Sequence, residues 1–218
     1  MFTGIIETVG KIASIEMRGG DMRLQLQCSL PMTEIKLGDS IASNGVCLTV
    51  VEKLADGFWA DVSRETLSLS TFAQAKPGQA VNIERAMLAS SRFDGHIVSG
   101  HIDGMGRIIS CERDARSLRL KIEVPVDLAP YIAIKGSICI DGVSLTVNRV
   151  EAQVFGLNIV PHTAAQTIIA SYRAGVYVNL EVDVVARYLE RLLQTEQPQG
   201  RGVSMATLAE NGFMKARK

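Results

Sequence analysis

The seven residues Asn44–Val50, NGVCLTV, return almost unchanged at Asp141–Val147 as DGVSLTV, 97 positions later (141 minus 44). A heptapeptide written twice marks a duplicated unit, and a duplicated unit must fold twice by the same rules. The correspondence continues at this offset. GFWADVSRETL from Gly57 matches VFGLNIVPHTA from Val154, GQAVNIERA from Gly78 matches GVYVNLEVD from Gly175, and GDSIASNGV from Gly38 matches KGSICIDGV from Lys135. At the front ends TGIIETVGKI matches SGHIDGMGRI with the offset shortened to 96, which sets Ile5 against His101.

Inside each copy the apolar residues alternate. Met22, Leu24, Leu26, Cys28 and Leu30 fall on one face of MRLQLQCSL, and Leu118, Leu120, Ile122 and Val124 on one face of SLRLKIEV. A period of two is the mark of a half-buried strand. About six such strands per copy, separated by Gly, Asp, Asn or Pro turns, predict a closed antiparallel barrel, because closure removes sheet edges. The fold class is therefore all-β, a tandem pair of six-stranded barrels: residues 1–96, then 97–183, linked through Ala86–Gly100. After Asp183 the period changes, and Val184, Val185, Tyr188, Leu189, Leu192 and Leu193 recur at helical spacing. A helix is expected over residues 184–194, its stripe buried on the barrels or on like helices of other subunits. Residues 195–218 read as a flexible tail with one helical turn near Met205–Ala209.

Composition excludes several classes. The 218 residues carry 23 basic and 23 acidic side chains for a net charge of zero, with no like-charge block, which disfavours a nucleic-acid or anionic-membrane surface. No apolar run approaches a membrane span. MFTGIIETVG lacks a basic n-region and a cleavage site, so a cytoplasmic location is expected. Cys28, Cys47, Cys111 and Cys139 show no zinc spacing, so no metal is expected, and Cys28 and Cys139 read as reduced structural thiols. GHIDGMG superficially resembles a glycine-rich dinucleotide loop, but it leads into a strand pattern rather than a helix.

MFTGIIE, NGVCLTV, SGHIDG and DGVSLTV, in this order and at these distances, resemble the riboflavin synthase alpha-chain family over residues 1 to about 193. The resemblance implies Greek-key barrels in a homotrimer. It also implies a reaction without cofactor: two molecules of 6,7-dimethyl-8-ribityllumazine give riboflavin and 5-amino-6-(ribitylamino)uracil by transfer of a four-carbon unit. The productive pair of lumazines would lie between the first barrel of one subunit and the second barrel of its neighbour, and lumazine synthase is a candidate partner.

The same resemblance assigns catalysis or substrate placement to Phe2, Ser40, Cys47, His101, Ser144, Thr146 and Asp183. It implies substrate contacts at Gly4, Ile5 and Ile6, at Cys47, Leu48 and Thr49, and along Asp61, Val62, Ser63, Arg64, Glu65 and Thr66. It implies further contacts at Gly100, His101 and Ile102, at Ser144, Leu145 and Thr146, and along the run Asn158, Ile159, Val160, Pro161, His162 and Thr163. Lys135 would reach ligand from a neighbouring subunit. Pairs shared by the copies suit binding, since small hydroxyls and close-approach glycines fit a flat heterocycle with a ribityl tail. Pairs that differ suit chemistry: Cys47 against Ser144, Ile5 against His101, Ala86 against Asp183. An imidazole is a suitable base for the 7-methyl proton of the donor lumazine. Cys47 is either a nucleophile or an auxiliary hydrogen-bond partner, and the auxiliary role is favoured. Asp183 also stands where a helix N-cap would. His96, in the link, is expected to be solvated, and His162 stands where many family members carry glutamate.

Two rival readings remain. A non-catalytic lumazine- or flavin-binding module would lose residues of the second SLT element and the histidine, whereas Ser144, Leu145, Thr146 and His101 are kept. A flavin-dependent reductase barrel would need a nicotinamide-binding domain for which 218 residues leave no room.

Overall fold

The structure, a computed structural model, describes residues 1–196. The first copy builds β1 (Thr8–Arg18), β2 (Asp21–Gln27), β3 (Ser40–Ser43), β4 (Val46–Lys53), β5 (Gly57–Val62) and β6 (Ala80–Arg85). They close antiparallel in the order β1-β2-β5-β4-β3-β6. The second copy repeats this with β7 (Gly104–Asp114), β8 (Ser117–Glu123), β9 (Ser137–Ile140), β10 (Val143–Glu151), β11 (Val154–Ile159) and β12 (Tyr177–Val182), closed as β7-β8-β11-β10-β9-β12. Short helices α1 (Arg64–Leu69) and α2 (Pro161–Gln166) occupy equivalent places after β5 and β11. Both copies break register at matching points, between Ile12 and Ser14 and between Val50 and Glu52 in one, between Ile108 and Ser110 and between Val147 and Arg149 in the other. Such bulges sharpen the bend that lets a short sheet close.

Alternation builds each core. Along β2, Met22, Leu24 and Leu26 point inward and are buried, while Arg23, Gln25 and Gln27 are not. Ile12, Leu24, Leu26, Phe58, Val81 and Ile83 fill the first barrel, and Ile108, Leu120, Ile122, Phe155, Val178 and Leu180 the second. Each such side chain contributes about 1.5–3 kcal/mol by leaving water. Phe2, Ala42, Val98 and Cys139 form a third apolar cluster at the seam between the barrels. Cys139 is buried there as expected, and burial pushes its thiol well up; Cys28 is half-buried just past β2.

The opening heptapeptides are the hinge of this seam. Asn44-Gly45 and Asp141-Gly142 are left-handed pairs (φ 45 and 78, φ 45 and 84), as a two-residue hairpin turn requires. The two turns meet back to back: a Cβ on Gly45 would lie 2.7 Å from the Gly142 nitrogen, and one on Gly142 2.8 Å from the Gly45 nitrogen. Buried asparagines stitch them. Asn82 Nδ2 donates to the Asp141 carbonyl and Asn179 Nδ2 to the Asn44 carbonyl, both at 2.8 Å. The Asn82 and Asn179 side-chain oxygens accept from Ile168 N and Thr71 N, at 2.8 and 2.7 Å, each across the seam.

The lead-in segments are exchanged. Phe2 pairs with Val98 in an antiparallel bridge. Beyond it, Ile6 packs on the second barrel's core and Ile102 on the first barrel's core. Each copy thus lends its front end to the other.

After β12, α3 spans Val184–Glu196, two residues past the predicted end, with Tyr188, Leu189 and Leu193 each at least 56% exposed. Apart from Thr195 and Glu196, which continue α3, the expected tail and its turn at Met205–Ala209 lie outside the described residues. No helix of the described residues is long and apolar enough to cross a membrane.

Candidate functional site

Two sites arise where the exchanged segments meet the repeated strands. On β4, the period of two turns Leu48 inward, 3% exposed, and leaves Cys47 half-buried and Thr49 exposed on the other face. On β10, Ser144 is likewise half-buried and Thr146 exposed, with Leu145 half-buried between them. Cys47 N donates to the Gly100 carbonyl, and Ser144 N to the Gly4 carbonyl, both at 2.8 Å. Glycine is obligatory at both contacts. Gly4 (φ 79) would place a Cβ 2.6 Å from Ser144 Cβ, and Gly100 (φ 81) one 2.5 Å from Cys47 Cβ.

A buried carboxylate clasps each lead-in. Glu84 accepts from Thr3 N at 2.7 Å, Thr3 Oγ1 at 2.8 Å and Gly4 N at 3.0 Å. Glu181 accepts from Ser99 N at 2.6 Å and Gly100 N at 2.9 Å. Burial raises both carboxyls above the usual range, Glu181 to about 7, against the lowering effect of these amide donors. The sequence reading missed the clasps. The signal was there, since Asn82/Asn179 and Glu84/Glu181 are identical polar pairs inside otherwise apolar strands.

The structure therefore groups His101 and Ile102 with Cys47, and Ile5 and Ile6 with Ser144. His101 is exposed and precedes β7, so it is a lead-in residue rather than a strand residue. Phe2 is fully buried in the seam and anchors the segment that carries Gly4. Ser40 opens β3 half-buried, its carbonyl accepting from Ala86 N at 3.1 Å. Asp183 sits half-buried between β12 and α3. Lys135 is exposed with φ 67, where its counterpart is Gly38 with φ 88.

The two βα corners complete the picture. Ser63 caps α1 by accepting from Thr66 N at 3.2 Å, with Asp61 and Glu65 exposed and Val62 buried. Arg64 is tied to Asp21 and to the Gly19 carbonyl. At the second corner Ile159 is buried, Asn158, Val160, Pro161 and His162 are exposed, and Thr163 is half-buried. Val160 offers no side-chain cap where Ser63 does.

One expectation is overturned. His96 is not solvated: it is 7% exposed, and its Nδ1 lies 2.6 Å from Ser144 Oγ. Gly95 makes this approach feasible, because a Cβ there would sit 1.9 Å from the Thr3 carbonyl oxygen and 3.2 Å from Ser144 Cβ. A single sequence cannot show a burial that depends on a strand 48 residues away.

A cavity of about 610 Å³ opens beside the first barrel, lined in part by Ile5, Ser40, Glu84, Arg85 and Arg92, and shares only Ile5 and Ser40 with the expected residues. Among the described residues no cluster of His, Cys, Asp or Glu is placed to hold a metal ion.

A doubled closed barrel with matched sites on its fourth strands defines a class, and comparison bears on it directly. The family model described as lumazine binding domain matches residues 3–86 and again 99–183. Solved structures of LumP, complexed with 6,7-dimethyl-8-(1'-D-ribityl) lumazine and with riboflavin, share the fold at TM-scores of 0.76 and 0.78 with 23% and 24% identity, covering 84% of this chain and 99% of theirs. The chain belongs to the riboflavin synthase family. It is 49% identical to the riboflavin synthase of Photobacterium phosphoreum over 98% of this chain and 100% of that one. With the Bacillus subtilis (strain 168) enzyme it shares 39% over the same proportions.

Proposed function

We propose that the chain dismutates two 6,7-dimethyl-8-ribityllumazine molecules to riboflavin and 5-amino-6-(ribitylamino)uracil, one lumazine bound at each kind of site. The observation that carries this is the pair of matched sites on β4 and β10 that keep their binding residues and differ at Cys47 against Ser144. A reaction between two like molecules needs two like pockets, and it needs them unequal so that one molecule donates and the other accepts. Holding both lumazines in contact contributes up to about 7–11 kcal/mol of the barrier in the best cases.

In this reading His101, exposed beside the Cys47 site, takes the 7-methyl proton of the donor lumazine. Thr49 and Thr146, exposed on their strands, bind polar edges, and Ser144 with Asp183 acts on the second lumazine. Gly4 and Gly100 admit the flat ring against the backbone. Cys47 is auxiliary, a hydrogen-bond partner of the ring. Retention of His101, Ser144 and Thr146 favours an enzyme over a lumazine carrier. Formation of riboflavin by the purified protein tests this, and tight lumazine binding with no riboflavin would favour the carrier.

The productive pair forms between subunits of a homotrimer whose contact includes α3. The exposed Tyr188, Leu189 and Leu193 support this, because apolar side chains so placed gain by mutual burial. Ending the chain after Asp183 should therefore give monomers in sedimentation with little activity; an active monomer would refute the assignment. A cytoplasmic site of action and contact with lumazine synthase belong to the same reading and rest on the family resemblance.

A further inference from the structure

His96 lies outside the two matched repeats, 3–86 and 99–183, yet it is the side chain that touches the hydroxyl distinguishing the second site. Three observations bear on its use. Nδ1 lies 2.6 Å from Ser144 Oγ, a short distance for a neutral pair. The residue is held there by its own backbone, His96 N donating to the Thr3 carbonyl at 3.1 Å within the exchanged lead-in. Nε2 is buried with no hydrogen-bond partner among the described residues. A ring fixed only for packing would leave neither nitrogen so spent, because a buried polar atom without a partner costs about 1–3 kcal/mol.

We infer that His96 is the positioning residue of the second site, its Nδ1 setting the direction of the Ser144 hydroxyl towards bound lumazine. The inference rests on the reading of Ser144 as a site residue. With Nε2 lacking a hydrogen-bond partner among the described residues, no such bond fixes the tautomer, and the Nδ1–Oγ hydrogen bond can run either way. When Oγ–H donates to Nδ1, the serine lone pairs face the ligand; when Nδ1–H donates, the hydroxyl proton is released to the ligand. Desolvation lowers the imidazole below its ordinary range, with the Asp183 charge opposing, which favours the neutral ring that this two-way exchange uses. The ring against Ser144 comes from the link between the repeats, not from the repeats themselves, and makes the two pockets unequal in a second way.

The test uses the full-length protein. His96→Ala should lower kcat about tenfold or more with KM changed by less than about threefold, since a hydroxyl misdirected in the transition state leaves ground-state binding in place. His96→Asn, whose side-chain amide can occupy the place of Nδ1, should recover most of the loss. In a Ser144→Ala background, removing His96 should change kcat by less than about twofold, because a residue that acts through another has nothing left to act on. As a readout independent of turnover, the Nδ1 resonance of His96 in ¹⁵N-histidine-labelled protein should shift on Ser144→Ala. Parent-like kcat in His96→Ala, additive losses in the double variant, a folded but unrecovered His96→Asn, or an unmoved resonance would each overturn the inference. A Ser144→Ala enzyme of parent-like activity would instead remove the reading of Ser144, whatever the resonance does.

Discussion

Lys135 holds a backbone state that the first copy gives to glycine: φ 67 against φ 88 at Gly38. A left-handed residue with a Cβ costs about 1–2 kcal/mol, so a lysine kept there points to use of its ammonium, exposed as it is. Lys135→Gly should raise stability by about 1 kcal/mol while weakening lumazine binding severalfold; thermal melts and fluorescence titration check the two halves, and lost stability would mean no strain was present. His101→Gln addresses the proton step. It should lower kcat by about tenfold or more with binding retained, and turnover within about twofold of the parent, roughly 0.4 kcal/mol, would end its assignment as base. At this scale the matching places of Cys47 and Ser144 on β4 and β10 were legible in the sequence, because the repeat set them opposite each other and the period of two turned them away from the core. His96 was not. Nothing in the link sequence says that Gly95 lets it slide beneath Thr3 onto Ser144, a contact made by a distant strand.

Among the elements, the NG and DG turns carry the fold and also a titration. Burial lifts Asp141 from the ordinary 3.8 to about 7, with hydrogen bonds from Tyr172 and Asn179 pulling the other way. A carboxyl that holds its proton in the fold up to about pH 7 and releases it near 3.8 when unfolded contributes its full stability below the lower value. That contribution is lost as pH rises through about 7, since the unfolded chain binds fewer protons in between. Glu181, lifted from 4.5 to about 7, acts in the same sense. Asp141→Asn copies the first turn, where Asn44 Oδ1 accepts from Asn82 N at 2.7 Å as Asp141 Oδ1 accepts from Asn179 N at 2.8 Å. The variant should lose stability less steeply from pH 4 to pH 8 and melt higher than the parent at pH 8. An unchanged slope in the melts would show that Asp141 does not govern it. The strands and turns were readable because local pattern decides them. The exchange of lead-ins was not, because Ile6 and Ile102 suit either barrel by hydrophobicity, and the choice falls to Gly4, Gly100 and the clasping glutamates.

For the whole molecule, that exchange decides what half a chain can do. Residues 1–96 contain a closed sheet and a core, which favours independent folding, but in the intact chain their front end rests on β10 and their β4 is covered by Gly100 and Ile102. Excision leaves Phe2–Ile6 without a strand to lie on and Cys47 without a cover. Two excised copies can repair both defects at once. Gly4 stands to Ser144 as Gly100 stands to Cys47, and Thr3 is clasped by Glu84 as Ser99 is by Glu181. The lead-in of each copy can therefore occupy the β4 of the other, and a self-complementary contact of this kind closes as a two-fold pair. Residues 1–96 should sediment as a dimer and bind lumazine by fluorescence titration. They should form little riboflavin, since His101, Ser144 and Asp183 are gone and both pockets are of one kind. A well-folded monomer would mean the exchanged segments contribute little to either barrel. Parent-like turnover by the dimer would mean that the inequality of Cys47 and Ser144 has no part in the chemistry, and the assignments at the second site would fall with it.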